Sequence, residues 1–452
     1  MTLNRRWSSH TIFLLASIGS TVGLSNIWKF TYLVGENGGG AFVLVYLASL
    51  FLLGLPVLTA EMALGKMGGK SMVGSLITIA KKEGFSTDWQ YFGWISNLAV
   101  FLILSFYCVI AGLTIDYTVN TLAGNLDIAN ADAGVAYYNQ ILADPWRLIF
   151  FQGLFVLATT FIVSRGVKKG LESSLRWMMP ALFIILLGLL VYAMVTANFR
   201  QAVDFMFTVD FSKLNANIVL LAVGQAFFSL GVGVGVMLTY GAYMPKDSSV
   251  ARSAFTIAFA DGLIAIIAGL AIFPIVFQYQ LSPAQGPGLI FMTLPIAFSQ
   301  MSGGLIIGTA FFLLLAFAAL SSSISLLESV IARFEELGIW SRSRIVWVGG
   351  FMLWLFGLLT VFSFNILKDF TPLSFLIPLK GKTIFGLIDY FASNLIMPIG
   401  GILMAVIAGW LVHRQQTRKM VGLKNNSLYL FWLLLVRYVA PIAVGMIFIS
   451  NL

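Results

Sequence analysis

The sequence predicts an all-α integral membrane protein with eleven transmembrane helices. Three observations lead there. Of its 452 residues, 59% are apolar and only 10% are charged, against about 45–50% and ~25% in a soluble domain. A chain so poor in polar residues cannot cover its surface in water, which excludes a soluble enzyme, a disordered chain and a secreted disulfide scaffold. Apolar runs of membrane-spanning length, roughly 20 residues, recur along the whole chain. The cations, finally, alternate between successive loops.

The spans fall near 10–35, 39–66, 89–121, 146–164, 175–197, 214–243, 251–279, 304–335, 345–363, 384–412 and 428–450. The first lacks a small-residue cleavage site followed by a soluble region, so it reads as a span and not a removed signal peptide. The longest outer connections are 122–145 and 281–301, and Gly288–Gln300 is expected to form a short helix over the entrance.

Lys and Arg number 27 and Asp and Glu 18, a net charge of +9. In a soluble protein that balance raises nucleic-acid binding, but the positions decide against a nucleic-acid partner. Arg5, Arg6, Lys66, Lys70, Lys81, Lys82, Arg165, Lys168, Lys169, Arg176, Lys246, Arg252, Arg333, Arg342, Arg344, Arg414, Arg418, Lys419 and Lys424 fall in every second loop. The alternate loops hold Arg147, Arg200, Lys213, Lys368, Lys380 and Lys382. This positive-inside asymmetry puts the N-terminus in the cytoplasm of a cell membrane, and an odd span count puts the C-terminus outside. Cys108 is the single cysteine, so no internal disulfide forms. His10 and His413, the two histidines, lie far apart, and no His/Cys metal cluster or organic cofactor is expected.

Two spans are anomalous. The first holds Ser17-Ile-Gly19-Ser20-Thr21-Val22-Gly23, and the sixth holds Ser229-Leu-Gly231-Val232-Gly233-Val234-Gly235. Both read Ser-aliphatic-Gly-x-x-Val-Gly. Each Gly costs a helix interior about 0.8–1 kcal/mol against Ala. Small-residue packing between helices also uses Gly, yet two matched interruptions in corresponding positions fit broken helices better, of the kind that bind substrate and ions at the bilayer midplane. The halves, 10–197 and 214–412, have five spans each. An odd number gives them opposite topology, so they read as inverted repeats, with 428–450 as an added span.

These residues resemble a known family. Gly19-Ser-Thr-Val-Gly-Leu-Ser-Asn26-Ile-Trp-Lys29-Phe, followed by Glu36-Asn-Gly-Gly-Gly-Ala-Phe42, is similar to the first-span signature of the neurotransmitter:sodium symporters. So are Gln225-Ala-Phe-Phe228-Ser229-Leu-Gly231 and Ala318-Ala-Leu-Ser321-Ser322-Ser323. Eleven spans and short tails look like the bacterial amino-acid branch, which has the leucine-transporter fold. The resemblance implies sodium-driven uptake of amino acids or their derivatives.

It also implies two sodium sites. Sodium is a hard cation that takes oxygen ligands. Site one falls on the Thr21 carbonyl, Asn26, Ser229, Asp261 and the substrate carboxylate. Site two falls on the carbonyls of Gly19, Val22 and Ala318 and the hydroxyls of Ser321 and Ser322. Animal members usually have Asn where this chain has Asp261, and add chloride held partly by a Ser four residues on, here Ala265. Tyr46, Gln225 and Ser229 match other chloride-site positions. A carboxylate in hydrocarbon needs a compensating cation, so Asp261 is expected to supply the negative charge and transport is expected not to need chloride.

Monoamine carriers of the family place an Asp where this chain has Gly23, so the substrate must bring its own carboxylate. The resemblance puts that carboxylate on the amides near Leu24 and Ser25 and on the Tyr107 hydroxyl, and the amine on carbonyls near Ser20, Phe228 and Ser229. The side chain would lie among Val22, Ile103, Phe228, Gly231, Val234, Ser322 and Leu326. That apolar lining suits a large apolar or aromatic amino acid. A small β- or γ-amino acid, its carboxylate displaced toward Gly231, is the alternative.

The family pattern makes Lys29 and Asp389, with Phe228 and Tyr107, an outer gate, and Arg5 or Arg6 with Glu335 or Glu336 an inner one. Trp7 matches the inner motif. Glu61 is expected to bond free amides of the sixth-span break; Glu328 and Arg437 are assigned no role, a mutual structural pairing being one option. Gly170 and Pro180 resemble an unwinding motif of the fifth span. An ion channel would need a continuous polar stripe, and an enzyme a catalytic constellation; the sequence shows neither. A substrate sensor with this fold stays open as an alternative.

Overall fold

The computed structural model describes residues 6–126, 128–284, 286 and 288–450. Among them, nine helices are long and apolar enough to cross a membrane unaided. These are span 2 (Gly40–Gly68), span 3 (Trp89–Leu122), span 4 (Pro145–Ser164), span 5 (Val167–Thr196), span 7 (Val250–Gln278), span 8 (Gly304–Leu337), span 9 (Arg342–Ser363), span 10 (Ile384–Leu411) and span 11 (Asn426–Ile449). Span 1 is a broken pair, His10–Thr21 and Ser25–Glu36, bent by 50°. Span 6 is also broken, into Ala216–Leu230 and Val236–Ala242. Together they make eleven, with ends within a few residues of expectation except at span 5, which starts eight residues early.

The two breaks arise differently. In span 1 the chain turns extended at Val22 (φ −75°, ψ 106°), and a wide π turn, Ser25–Lys29, restarts it. In span 6, Gly231, Gly233 and Gly235 take φ of +60°, +97° and +76°, a left-handed backbone that only Gly adopts cheaply. Span starts carry side-chain caps that satisfy otherwise orphaned amides: Ser9 accepts from the Ile12 amide, Asn215 from Ile218 and Ser249 from Arg252.

Spans 3 and 8 pack side by side, the first half of span 1 packs on spans 5, 7 and 8, and the second half of span 6 lies on span 2. Spans 5, 9 and 11 turn large apolar side chains outward, among them Ile184, Phe351 and Ile442. Such faces suit lipid and not water. Leu289–Gln300 forms the expected short helix; the Tyr117 hydroxyl donates to the Phe291 carbonyl (2.8 Å), and Phe291 meets Trp28 of span 1 edge-on. A helix over Met72–Glu83 was not expected. Its signal was present in Ser71, which caps it, and in Lys81 and Lys82 in its last turn.

Span 5 differs from the unwinding expectation. In this conformation Val167–Glu172 forms a wide turn that runs directly into the helix through Pro180. The chain enters this turn through Gly166 at φ +82°, and residues 170–180 stay wound.

Candidate functional site

The breaks of spans 1 and 6 meet span 7 in a buried polar knot. Asn26 Nδ2 donates to Asp261 Oδ1 (2.9 Å), to the Asp261 carbonyl (3.2 Å) and to Ser229 Oγ (3.0 Å). Asn26 Oδ1 accepts from the Gly23 amide (3.2 Å) and Ser25 Oγ (2.9 Å). Ser229 Oγ donates to Asp261 Oδ2 at 2.5 Å, and the Tyr46 hydroxyl reaches the same oxygen at 3.3 Å. Asn26, Ser229, Asp261 and Tyr46 are all buried. Two hydroxyls at chloride-site positions therefore face the carboxylate of residue 261. Gln225, the third such position, donates from Nε2 to the Ser25 carbonyl (2.8 Å), and its Oε1 is buried without a partner. Ala265 is buried one helical turn from Asp261 and adds no polar atom.

A second cluster joins span 1 to span 8. The extended Val22 leaves its carbonyl free of the helix, and Ser322 Oγ lies 3.4 Å from it. Ser321 Oγ donates to the Ala318 carbonyl (3.0 Å). Gly19 lies against span 5, where a Cβ would stand 2.7 Å from Met179 Sδ. The donors here are neutral oxygens, the ligand class that a hard monovalent cation takes.

Between the clusters lies Gly23. A Cβ on it would sit 2.6 Å from Ser322 Oγ and 3.3 Å from the Tyr107 hydroxyl, so the backbone itself forms one wall. The Tyr107 hydroxyl is buried beside the Leu24 amide and the Ser322 hydroxyl, with no hydrogen bond of ordinary geometry to either. A buried hydroxyl without a partner costs roughly 1–3 kcal/mol. Ile103 stands one turn from Tyr107 on the same face of span 3, and Leu326 one turn from Ser322 on span 8. Val22, Ile103, Val234 and Ser322 are buried; Ser20, Phe228, Gly231 and Leu326 are half-buried. Gly231 has nothing within 4 Å of where its Cβ would stand.

Beyond Phe228 lies a cavity of about 500 Å³ walled by Lys29, Tyr32, Gln225, Phe228, Ser393 and Asn394. Lys29 Nζ stands 3.7 Å over the Phe228 ring. Asp389 accepts from Ser393 Oγ (2.8 Å). Lys29 and Asp389 form no ion pair within 4.0 Å in this conformation, because the ammonium is drawn onto the aromatic face instead.

The opposite end is tied by links that sequence reasoning missed. Glu328 does not pair with Arg437. It pairs with the Arg342 guanidinium and accepts from the Tyr243 hydroxyl (3.1 Å). Arg342 also reaches Glu335 (2.8 Å) and the Val163 carbonyl (2.9 Å), whereas Arg437 donates to the Gly409 carbonyl (2.5 Å). The reason is reach: a fork at the start of span 9 faces the last turns of span 8, and span 11 lies on the far side. Ser8 donates from its amide and hydroxyl to Glu172 (2.8 and 2.7 Å). Glu172 is the one acid in the basic stretch 165–176, which is the local signal for this link. Trp7 is buried against Tyr240 and donates its amide to the Tyr243 carbonyl. Arg5 lies outside the described residues. Glu336 accepts from the Ser71 amide and hydroxyl and approaches Arg333 (3.6 Å). Glu61 Oε1 accepts from the Gly233 amide at 2.5 Å, which ties span 2 to the sixth-span break.

Comparison with known proteins agrees with this architecture. The model of the sodium:neurotransmitter symporter family matches residues 4–143 and 144–452. The sodium-dependent transporter YhdH of Bacillus subtilis (strain 168) is 34% identical over 98% of this chain and 97% of its own. A sodium-dependent dopamine transporter of Bos taurus is 26% identical, covering 96% of this chain and 67% of its own. The crystal structure of MhsT in complex with L-phenylalanine aligns with a TM-score of 0.90 and 39% identity, over 99% of this chain and 100% of that one. The chain has the leucine-transporter fold of that structure. With the broken spans, the buried oxygen clusters and a family match along its length, the chain belongs to the sodium:neurotransmitter symporter family and is a membrane transporter, not an enzyme.

Proposed function

We propose that the protein takes up large apolar or aromatic L-amino acids with sodium, by alternating access and without chloride. The observation that carries the substrate class is Gly23 between Ser322 Oγ and the partnerless Tyr107 hydroxyl. No acid can stand at 23 to pair with an amine, and the donors gathered there suit a carboxylate. Leu24, Ser25 and Tyr107 hold that carboxylate. Carbonyls near Ser20, Phe228 and Ser229 take the amine, at the C-terminal end of a half-helix whose dipole favours a cation. The phenylalanine bound to MhsT and the apolar lining of Val22, Ile103, Val234 and Leu326 favour a large side chain. The open space at Gly231 favours the second reading, a small β- or γ-amino acid.

Sodium is cargo at two sites. Site one uses Thr21, Asn26, Ser229, Asp261 and the substrate carboxylate; here the Asn26 amide turns its oxygen toward the ion. Site two uses Gly19, Val22, Ala318, Ser321 and Ser322. Asp261 supplies the charge that balances sodium, with Tyr46 and Ser229 orienting it. On closure Lys29 leaves Phe228 and pairs with Asp389 on the outside. The inner side is held by Glu336, with Arg5 or Arg6 as its partner, and by the Arg342 cluster. Residues 10–197 and 214–412 form the inverted repeats, in a cell membrane with the N-terminus cytoplasmic and the C-terminus outside.

Uptake of labelled phenylalanine into proteoliposomes tests this reading. An inward sodium gradient should drive accumulation that unlabelled aromatic amino acids compete away. Competition by small β- or γ-amino acids alone would transfer the assignment to the second reading, and binding without accumulation would make the protein a sensor.

A further inference from the structure

The first half of span 1, His10–Thr21, is a lever of 12 residues, about 18 Å long. It ends at the extended Val22, which acts as its hinge, and it packs on spans 5, 7 and 8. Its far tip carries two ties. Trp7 faces span 6: its ring lies 5.4 Å from that of Tyr240, and its amide donates to the Tyr243 carbonyl. Ser8 faces span 5. Its amide donates to Glu172 Oε1 at 2.8 Å and its hydroxyl to Glu172 Oε2 at 2.7 Å. A tie at the tip resists swinging with the longest arm from the hinge.

Glu172 is placed to make such a tie and to release it. It is 4% exposed in the wide turn Val167–Glu172, while Arg165, Lys168, Lys169 and Arg176 around it are exposed. It takes none of these cations as an ion-pair partner among the described residues, and both of its oxygens go to Ser8. The turn itself is fixed. A Cβ on Gly170 would stand 2.0 Å from the Ile162 carbonyl oxygen, so the turn lies flush against the end of span 4. Hydrogen bonds from a serine to a carboxylate are strong where water is excluded. Water satisfies both partners once it enters. The tie therefore holds while this end is closed and lets go as it opens.

The same two spans meet again further in, at Gly19, where a Cβ would stand 2.7 Å from Met179 Sδ and 3.3 Å from Leu175 Cδ2. On the function proposed above, on which this inference rests, the Gly19 carbonyl is a ligand of sodium site two. Parting spans 1 and 5 at Ser8 thus opens the line of contacts that leads from the inner end to that ion. We propose that Glu172 is a positioning residue for inward release of the site-two sodium. Its carboxylate holds Ser8 against the corner of spans 4 and 5, and its release frees the first half of span 1 to swing about Val22. The Trp7 tie guards the other flank, toward span 6.

Thiol labelling of the purified full chain tests this, with Cys108, its one cysteine, replaced by Ala. The inner reporter is Ala16→Cys, buried one turn from Gly19. The outer reporter is Asn394→Cys, in the wall of the outer cavity. A water-soluble maleimide in sodium chloride, without substrate, should label the inner reporter at least ~5-fold faster in Glu172→Ala, which loses two charge-assisted hydrogen bonds. Ser8→Ala loses one of the two and should give a smaller rise. Labelling of the outer reporter should stay level or slow, because a general loosening would speed both. An unchanged inner rate, or equal acceleration of both reporters, would overturn the proposal. Should Glu172→Ala not fold, the exposed Ser8→Ala replaces it and should speed the inner reporter at least ~2-fold; no change there would count equally against the latch. The labelling needs no transported substrate, so a failure of phenylalanine uptake leaves it standing, and unchanged labelling strikes the latch and not the uptake reading.

Discussion

Ser229 Oγ donates to Asp261 Oδ2 at 2.5 Å, with the Tyr46 hydroxyl 3.3 Å from the same oxygen. The sixth-span break is thereby joined to span 7 through a carboxylate whose other oxygen faces Asn26 of span 1. Four spans share one buried carboxylate. On the proposed function, removing it takes away a sodium ligand and the charge that neutralises the ion. At 4 Å and an effective dielectric of 20 that attraction is about 4 kcal/mol, much of it offset by resolvation. Asp261→Asn is expected to weaken sodium activation of uptake at least ~10-fold, read from the sodium concentration for half-maximal rate. Pairing it with Ala265→Ser should let chloride restore part of the rate.

Tyr107 makes a sharper prediction because its hydroxyl has no ordinary hydrogen bond within the protein. Tyr107→Phe should leave thermal stability unchanged or slightly higher. Substrate affinity should fall roughly 10- to 100-fold, the value of about 1.5–3 kcal/mol for a hydrogen bond to a charged group. A large drop in the unfolding temperature with unaltered affinity would place the hydroxyl in the scaffold.

Gly23 is constrained by space. Gly23→Ala puts a methyl 2.6 Å from Ser322 Oγ. Overpacking of this kind costs about 1–3 kcal/mol and fills the place proposed for the substrate carboxylate. Uptake should fall by at least ~10-fold in the maximal rate or half-saturation, while the purified protein stays monodisperse.

Glu328 is fully buried and paired with Arg342. Breaking such a pair from one side costs about 3–5 kcal/mol, whereas replacing both partners costs far less. Arg342→Gln should lower the unfolding temperature markedly, and the double variant Glu328→Gln/Arg342→Gln should recover most of the loss. Equal melting of the single and double variants would assign the stability of that end to the Glu335 and Val163 contacts instead.

The spans were legible because lipid forces long uninterrupted apolar runs; the sixth-span break was legible because Gly231, Gly233 and Gly235 interrupt a helix, and the first because Ser17–Gly23 repeats the same pattern. Glu61 bonding to the Gly233 amide was legible for a related reason: an intramembrane acid needs donors, and a broken helix provides them. Pairings between distant charges were not. Nothing local tells Arg342 apart from Arg344, and only the packing of spans 8 and 9 puts the former on Glu328. Lys29 shows a second limit. The family resemblance pairs it with Asp389, whereas in this conformation its ammonium stands over the Phe228 ring. The wide turn at Val167–Glu172 is a third case, since Gly170 and Pro180 permit unwinding without imposing it.

The central claim is that Asp261 carries the charge that lets sodium bind without chloride. Amino-acid uptake into proteoliposomes, driven by an inward sodium gradient with gluconate replacing chloride on both sides, tests it most directly. Uptake should match that in sodium chloride and vanish when potassium replaces sodium. A rate that collapses in gluconate and returns with added chloride would contradict the account.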